Sequence, residues 1–182
     1  VKILLLLLVL ALCLPLLAGC SGKKGKTLIE MEGVKVSVNT YELLLSRMMG
    51  ALARAQGLSI ENDDFWTVVV DSDNTTYEEY LREAILENAK TYAVGVYLFD
   101  EVYGLTLPKE TVDAIDQELE EFVEYGGDGS KAAFNQVLSE FGVNYDILRQ
   151  TYIMEAKINA LKVHLYGQGA SKIADSVKDE YC

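Results

Sequence analysis

Along this chain the apolar residues first run together, then alternate, and then recur every third or fourth position. Ile3 to Leu17 is an apolar run preceded by Lys2 and broken only at Pro15. Val34-Lys35-Val36-Ser37-Val38 alternates, which puts its valines on one face of a strand. Thr27 to Met31 precedes it, and Glu32-Gly33 between them is a turn signal. Two short strands paired as a hairpin are therefore predicted within 27–38. A lone hairpin is marginal in water and must pack on something larger.

From there the period is helical. Tyr41, Leu44, Leu45, Met48, Leu52 and Ala55 predict a first helix, with Ser37 or Asn39 as its N-cap and Gly57 as its stop. Residues 58–74 contain Phe65-Trp66 and Val68-Val69-Val70 without a clear period. Thr76-Tyr77-Glu78-Glu79 is a capping box that opens a long helix to about Tyr103. Its stripe is Leu81, Ile85, Ala89, Tyr92, Val96 and Phe99; Val94 and Leu98 lie off it, so contacts on more than one side are expected.

Pro108 suits the first turn of a helix that carries Val112, Ile115, Leu119, Phe122 and Val123 to Tyr125. Gly126-Gly127-Asp128-Gly129 breaks it. It follows a helix instead of a strand and lacks a lysine, so it is a turn and not a phosphate cradle. Ser130 caps a shorter helix through Phe141. Asn144 caps another that runs to Tyr166, with Ile147, Leu148, Tyr152, Ile153, Ala156, Ile158, Leu161 and Leu165. A last amphipathic helix is predicted over Ser171–Tyr181. The expected fold class is mainly α, a multi-helix domain over 27–182 with a short N-terminal β-hairpin.

The leading run is shorter than the roughly 20 apolar residues of a spanning helix, and with Lys2 before it reads as an export signal. Leu17-Ala18-Gly19-Cys20 resembles the bacterial lipobox, which implies cleavage after Gly19 and a diacylglycerol on the Cys20 thiol. Residues 1–19 are thus expected to be a lipoprotein signal peptide and 20–26 the lipidated cysteine with its tether. The expected location is extracytoplasmic, lipid-anchored to the bacterial membrane. Two or more acyl chains anchor stably where one does not. Ser21-Gly22-Lys23-Lys24-Gly25-Lys26 is small, polar and basic, as a flexible tether near anionic headgroups would be.

The 182 residues carry 16 Lys and Arg against 28 Asp and Glu, a net charge of −12 that becomes −13 without Lys2. An acidic surface argues against nucleic acid, whose phosphates need a basic footprint. Of the three cysteines, Cys13 lies in the leader, Cys20 in the lipobox, and Cys182 is the last residue. No disulfide framework is available to the domain, so an apolar core must stabilise it. His164 is the only histidine, with no thiol near it, so no metal role is expected of it. It reads as a partly exposed histidine at a helix end.

The order of pieces carries a resemblance. A lipobox is followed by a β segment, then by a helix opening from Val36-Ser37 with Tyr41 four residues on, and then by a loop holding Trp66. A long helix from Thr75-Thr76-Tyr77-Glu78-Glu79-Tyr80-Leu81, three shorter helices and Val177-Lys178-Asp179-Glu180-Tyr181 complete it. Over 27–181 the chain resembles the N-terminal chaperone domain of the SurA/PrsA-like peptidyl-prolyl isomerase (foldase) lipoproteins, related in shape to the C-terminal domain of trigger factor. The resemblance implies an ATP-independent chaperone, without cofactor, whose partners are unfolded or partly folded exported polypeptides. It implies an apolar cradle, for which Met48, Tyr92, Tyr97, Tyr103, Tyr145, Tyr152 and Tyr166 are candidate client contacts. Core packing is the competing role for each. In that family a parvulin domain with its own histidines follows a helix like Ser171–Tyr181. The sequence stops at Cys182, so it is expected either to be truncated before that domain or to be a chaperone-only relative, and isomerase catalysis is not assigned to these residues.

Two other readings stand beside this one. Val68-Val69-Val70-Asp71-Ser72-Asp73-Asn74-Thr75 matches the aspartate motif of haloacid-dehalogenase-like phosphatases, with Asp71 as nucleophile, Asp73 as general acid and Mg²⁺ between carboxylates. That fold needs strands alternating with helices, and a capped turn explains the same residues. The run also fails as a calcium loop, since Thr76 stands where glycine is needed and Arg82 where glutamate is needed. The third reading is a lipoprotein that docks one folded envelope partner.

Overall fold

The computed structural model describes residues 25–57 and 63–173. The expectations for the signal peptide, for Cys20 and most of the tether, and for the Ser171–Tyr181 helix beyond residue 173 lie outside the described residues. The chain is mainly helical with a two-stranded antiparallel sheet at its start.

Strands β1 (Thr27–Met31) and β2 (Val34–Ser37) pair with Met31 opposite Val34. Glu32 and Gly33 between them both have positive φ, 47° and 85°, the geometry whose twist matches a tight hairpin. Val36 is fully buried against Ala89, Ala93, Val96 and Met154, so the hairpin gains its stability from the helices beneath it. The expected tether does not stay free to its end: the Lys26 carbonyl accepts from the Val38 amide at 2.8 Å.

Helix α1 (Val38–Ala55) is capped by Ser37, whose Oγ accepts from the Thr40 amide at 3.0 Å. Asn39, the other candidate cap, instead donates its side-chain amide to the Gly142 carbonyl. Met48 and Ala55 of the predicted stripe are exposed, whereas Leu43 and Ala53 outside it are buried. The reason is that α1 is covered on two sides. Leu43 enters one cluster with Leu119 and Leu148, while Leu44, Leu45 and Ala53 enter another with Leu81 and Ile85. A single turn, α2 (Asp63–Trp66), closes the second cluster with the buried Trp66.

Helix α3 (Tyr77–Tyr97) starts from the predicted capping box in full. Thr76 Oγ1 accepts from the Glu79 amide at 3.2 Å and Glu79 Oε2 from the Thr76 amide at 2.8 Å. Its continuation is not α-helical as predicted: Leu98–Val102 widens into a π turn, with the Tyr103 amide reaching the Leu98 carbonyl. The wide turn carries Phe99 into the core, while Lys157 binds both Asp100 oxygens at 2.7 and 2.6 Å. Such insertions re-aim side chains along a helix.

Helices α4 (Lys109–Gly126), α5 (Lys131–Ser139) and α6 (Tyr145–Tyr166) follow; Ser130 and Asn144 cap the last two through their side chains, and Pro108 precedes the first without a capping hydrogen bond. Pro108 sits one residue before the first turn, and α5 stops two residues short of the expected Phe141. A short 3-10 turn, Gln168–Ala170, follows Gly167. Helix α6 is the hub, since α1, α3, α4 and α5 all pack on it, and α3 and α4 do not approach each other. Leu119 and Phe99, essentially inaccessible, anchor opposite flanks; full burial of such a side chain is worth about 1.5–3 kcal/mol.

Candidate functional site

Because α3 and α4 both lean on α6 without meeting, one face of α6 is left as the floor of an open groove. On the α4 side the hollow measures ≈ 540 Å³, with Glu110, Ala114 and Glu118 facing Tyr152, Ala156 and Asn159. On the α3 side it measures ≈ 350 Å³, with Asn88, Thr91 and Tyr92 facing Lys162. Glu155 and Asn159 line both hollows.

Glu155 fixes the floor. Its Oε1 accepts from Arg47 Nη1 at 2.9 Å and from the Tyr92 hydroxyl at 2.8 Å, so one carboxylate oxygen ties α6 to α1 and α3. The Arg47 guanidinium lies 5.0 Å from the centre of the Tyr152 ring, a cation–π distance. Burial, reinforced by the Glu155 charge, holds the Tyr92 phenol well above its ordinary pKa. Burial likewise raises Tyr152. Both rings therefore stay neutral and offer apolar area with one hydroxyl each.

The structure sorts the sequence candidates. Tyr92 and Tyr152 come together at this groove, linked through Glu155 and Arg47. Tyr103 and Tyr166 are exposed near the far end of α6, where Tyr103 meets His164 edge-on at 5.2 Å between ring centres. His164 is exposed in the last turn of α6, as expected. Tyr97 is half-buried on α3 and Met48 exposed on α1; neither lines either hollow. Tyr145 is a correction: it is buried in the core under Lys131, whose Nζ lies 3.4 Å from the ring centre, so it cannot face a client.

The sequence pattern does not single out Arg47, Glu155 and Asn159, which the fold brings to the groove. The spacing Tyr152–Asn159–Tyr166, seven apart each time, places Asn159 in the same row as two candidate tyrosines. Nothing local pairs Arg47 with Glu155, which are 108 positions apart. A further cleft of ≈ 420 Å³ lies beside the hairpin turn, but its Lys157 is already engaged by Asp100.

The phosphatase reading loses its scaffold. Val68-Val69-Val70 forms no strand, only a single bridge from Val69 to Thr76, and all three valines are exposed. Asp71 Oδ1 accepts from the Asp73 and Thr75 amides at 2.9 and 3.0 Å, which is how a turn is closed ahead of a capped helix. A hydrogen bond from the Thr75 side chain, followed by those two amide bonds, holds the Asp71 carboxyl below its ordinary pKa. The sheet of the described residues has two antiparallel strands, and they contain no grouping of three metal-ligating side chains.

Compared with protein-family models, with curated proteins and with solved structures, the chain matches none. Among the described residues no helix is long and apolar enough to cross a membrane.

Proposed function

We propose that the chain is a membrane-tethered, extracytoplasmic chaperone domain that holds unfolded segments of exported proteins without ATP. The reading follows the resemblance to the SurA/PrsA-like foldase lipoproteins, with Cys20 as the lipid anchor. The observation that carries it is the separation of α3 from α4, which leaves Tyr92, Tyr152, Ala114 and Ala156 along an open trough. A segment that buries about 400 Å² of apolar surface there gains on the order of 10 kcal/mol before the costs of association and chain ordering. Those costs consume most of it, so binding is weak and exchangeable, as a holding chaperone needs. No isomerase step is assigned to these residues.

The test is suppression of aggregation of a reduced, unfolded protein by the chain anchored through its lipidated Cys20 in phosphatidylcholine nanodiscs. Suppression is expected, and Tyr152→Ala is expected to weaken it while the helical circular dichroism is unchanged. No suppression at several-fold excess overturns the reading. Tight binding of one folded partner with indifference to unfolded chains would make the chain a docking lipoprotein instead.

A further inference from the structure

We propose that the groove selects segments that are cationic as well as apolar, in which Lys or Arg is interspersed with aliphatic or aromatic residues. This rests on the chaperone reading and names its client class. The α4 wall, Lys109–Gly126, carries seven carboxylates and a single cation, Lys109. Among the described residues, cations reach only two of the seven: Lys109 pairs with Asp113, and Arg149 with Asp116. Glu110 and Glu118, which line the hollow, take part in no ion pair among the described residues. On the floor, Arg47 is neutralised by Glu155, which leaves Lys162 on the opposite flank.

Apolar contacts bracket these carboxylates. On α4, Thr111, Ala114, Glu118, Phe122 and Tyr125 follow one another at helical spacing, and Phe122 and Tyr125, 86% accessible, are exposed. On α6, Tyr152, Ala156, Asn159, Val163 and Tyr166 do the same, with Val163 and Tyr166 exposed. Arg149 meets Asp116 while Asn159 shares a hollow with Glu110, so the two helices run antiparallel. Exposed aromatic rings therefore stand at both ends and unpaired acids between them. The row from Tyr152 to Tyr166 spans about 21 Å, enough for about six extended residues. An extended chain places side chains alternately, so apolar residues can enter the trough while cationic ones reach the acidic wall. A second copy of this chain is a poor occupant, because it would bring the same acidic wall and the same net charge of −12.

The experiment uses the chain anchored through its lipidated Cys20 in zwitterionic phosphatidylcholine nanodiscs and three fluorescent peptides of about six residues, matched to the span of the row. They share their apolar positions and carry Lys, Gln or Glu at the others. Fluorescence anisotropy is expected to give the Lys peptide about tenfold tighter binding than the Gln peptide, and the Glu peptide the weakest. The preference is expected to collapse when NaCl rises from about 50 to about 500 mM. Glu110→Gln with Glu118→Gln is expected to remove it, whereas Glu83→Gln with Glu140→Gln, an equal loss of charge elsewhere, is not. Equal binding of all three peptides overturns the charge preference and leaves the chaperone reading standing. An equal effect of the two variant pairs overturns the assignment to this groove. No binding of any peptide removes both proposals.

Discussion

The Tyr92 hydroxyl donates to Glu155 Oε1 across 2.8 Å, joining helices α3 and α6 at the floor of the groove. The same oxygen holds Arg47, so the bond belongs to a three-helix junction. Replacing Tyr92 with Phe removes one hydrogen bond to a charged acceptor and is expected to cost about 1–2 kcal/mol in urea unfolding. A loss within error would mean that the junction contributes nothing to stability.

The junction also predicts an alkaline response. Tyr92's pKa is raised in the folded protein, so its contribution is complete below the ordinary value of 10.0 and is lost as the pH climbs above it. Tyr145 and Tyr152 are shifted in the same direction. The urea midpoint is expected to fall from pH 10 upward, and the fall to be shallower in Tyr92→Phe. A midpoint that does not change between pH 9 and 11 contradicts this.

At the acid end the bond to watch is Arg149 to Asp116, with Nε to Oδ1 at 2.5 Å and Nη2 to Oδ2 at 2.9 Å. The guanidinium holds the Asp116 carboxyl below its ordinary pKa of 3.8. Its stabilising effect is therefore present above that value and lost as the pH falls through the lowered one. Asp116→Asn is expected to speed amide exchange along α4 at neutral pH and to flatten acid unfolding. Unchanged exchange in α4 would show that the wall is held by apolar packing alone.

The contact of α3 with α6 has almost no slack at Gly95. A Cβ added there would lie 2.8 Å from Ile158 Cγ1. Gly95→Ala is expected to destabilise by about 1–3 kcal/mol through overpacking, despite alanine's better helix propensity. Adding Ile158→Val is expected to restore part of the loss, measured by thermal unfolding.

Thr76→Ala removes the hydroxyl that caps the Glu79 amide and is expected to cost about 1 kcal/mol. This start of α3 was legible because a capping box is written in four consecutive residues. The hairpin turn at Glu32-Gly33 and the caps at Ser130 and Asn144 were legible for the same reason. The π turn at Leu98–Val102 was not, since Phe99 and Asp100 find their partners on α6, more than fifty residues away. The candidate site was half legible. The sequence picks out Tyr92 and Tyr152 as aromatic residues, but which tyrosines line the groove depends on how the helices pack. Tyr145 looks no different from them locally and is buried under Lys131.

That α3 and α4 share no contact has a mechanical corollary. The gape of the trough is set by two independent bearings on α6, one at Gly95 against Ile158 and one where Ile115 meets the core. A single side chain at either bearing resets its own flank, so the width of the groove is adjustable one flank at a time.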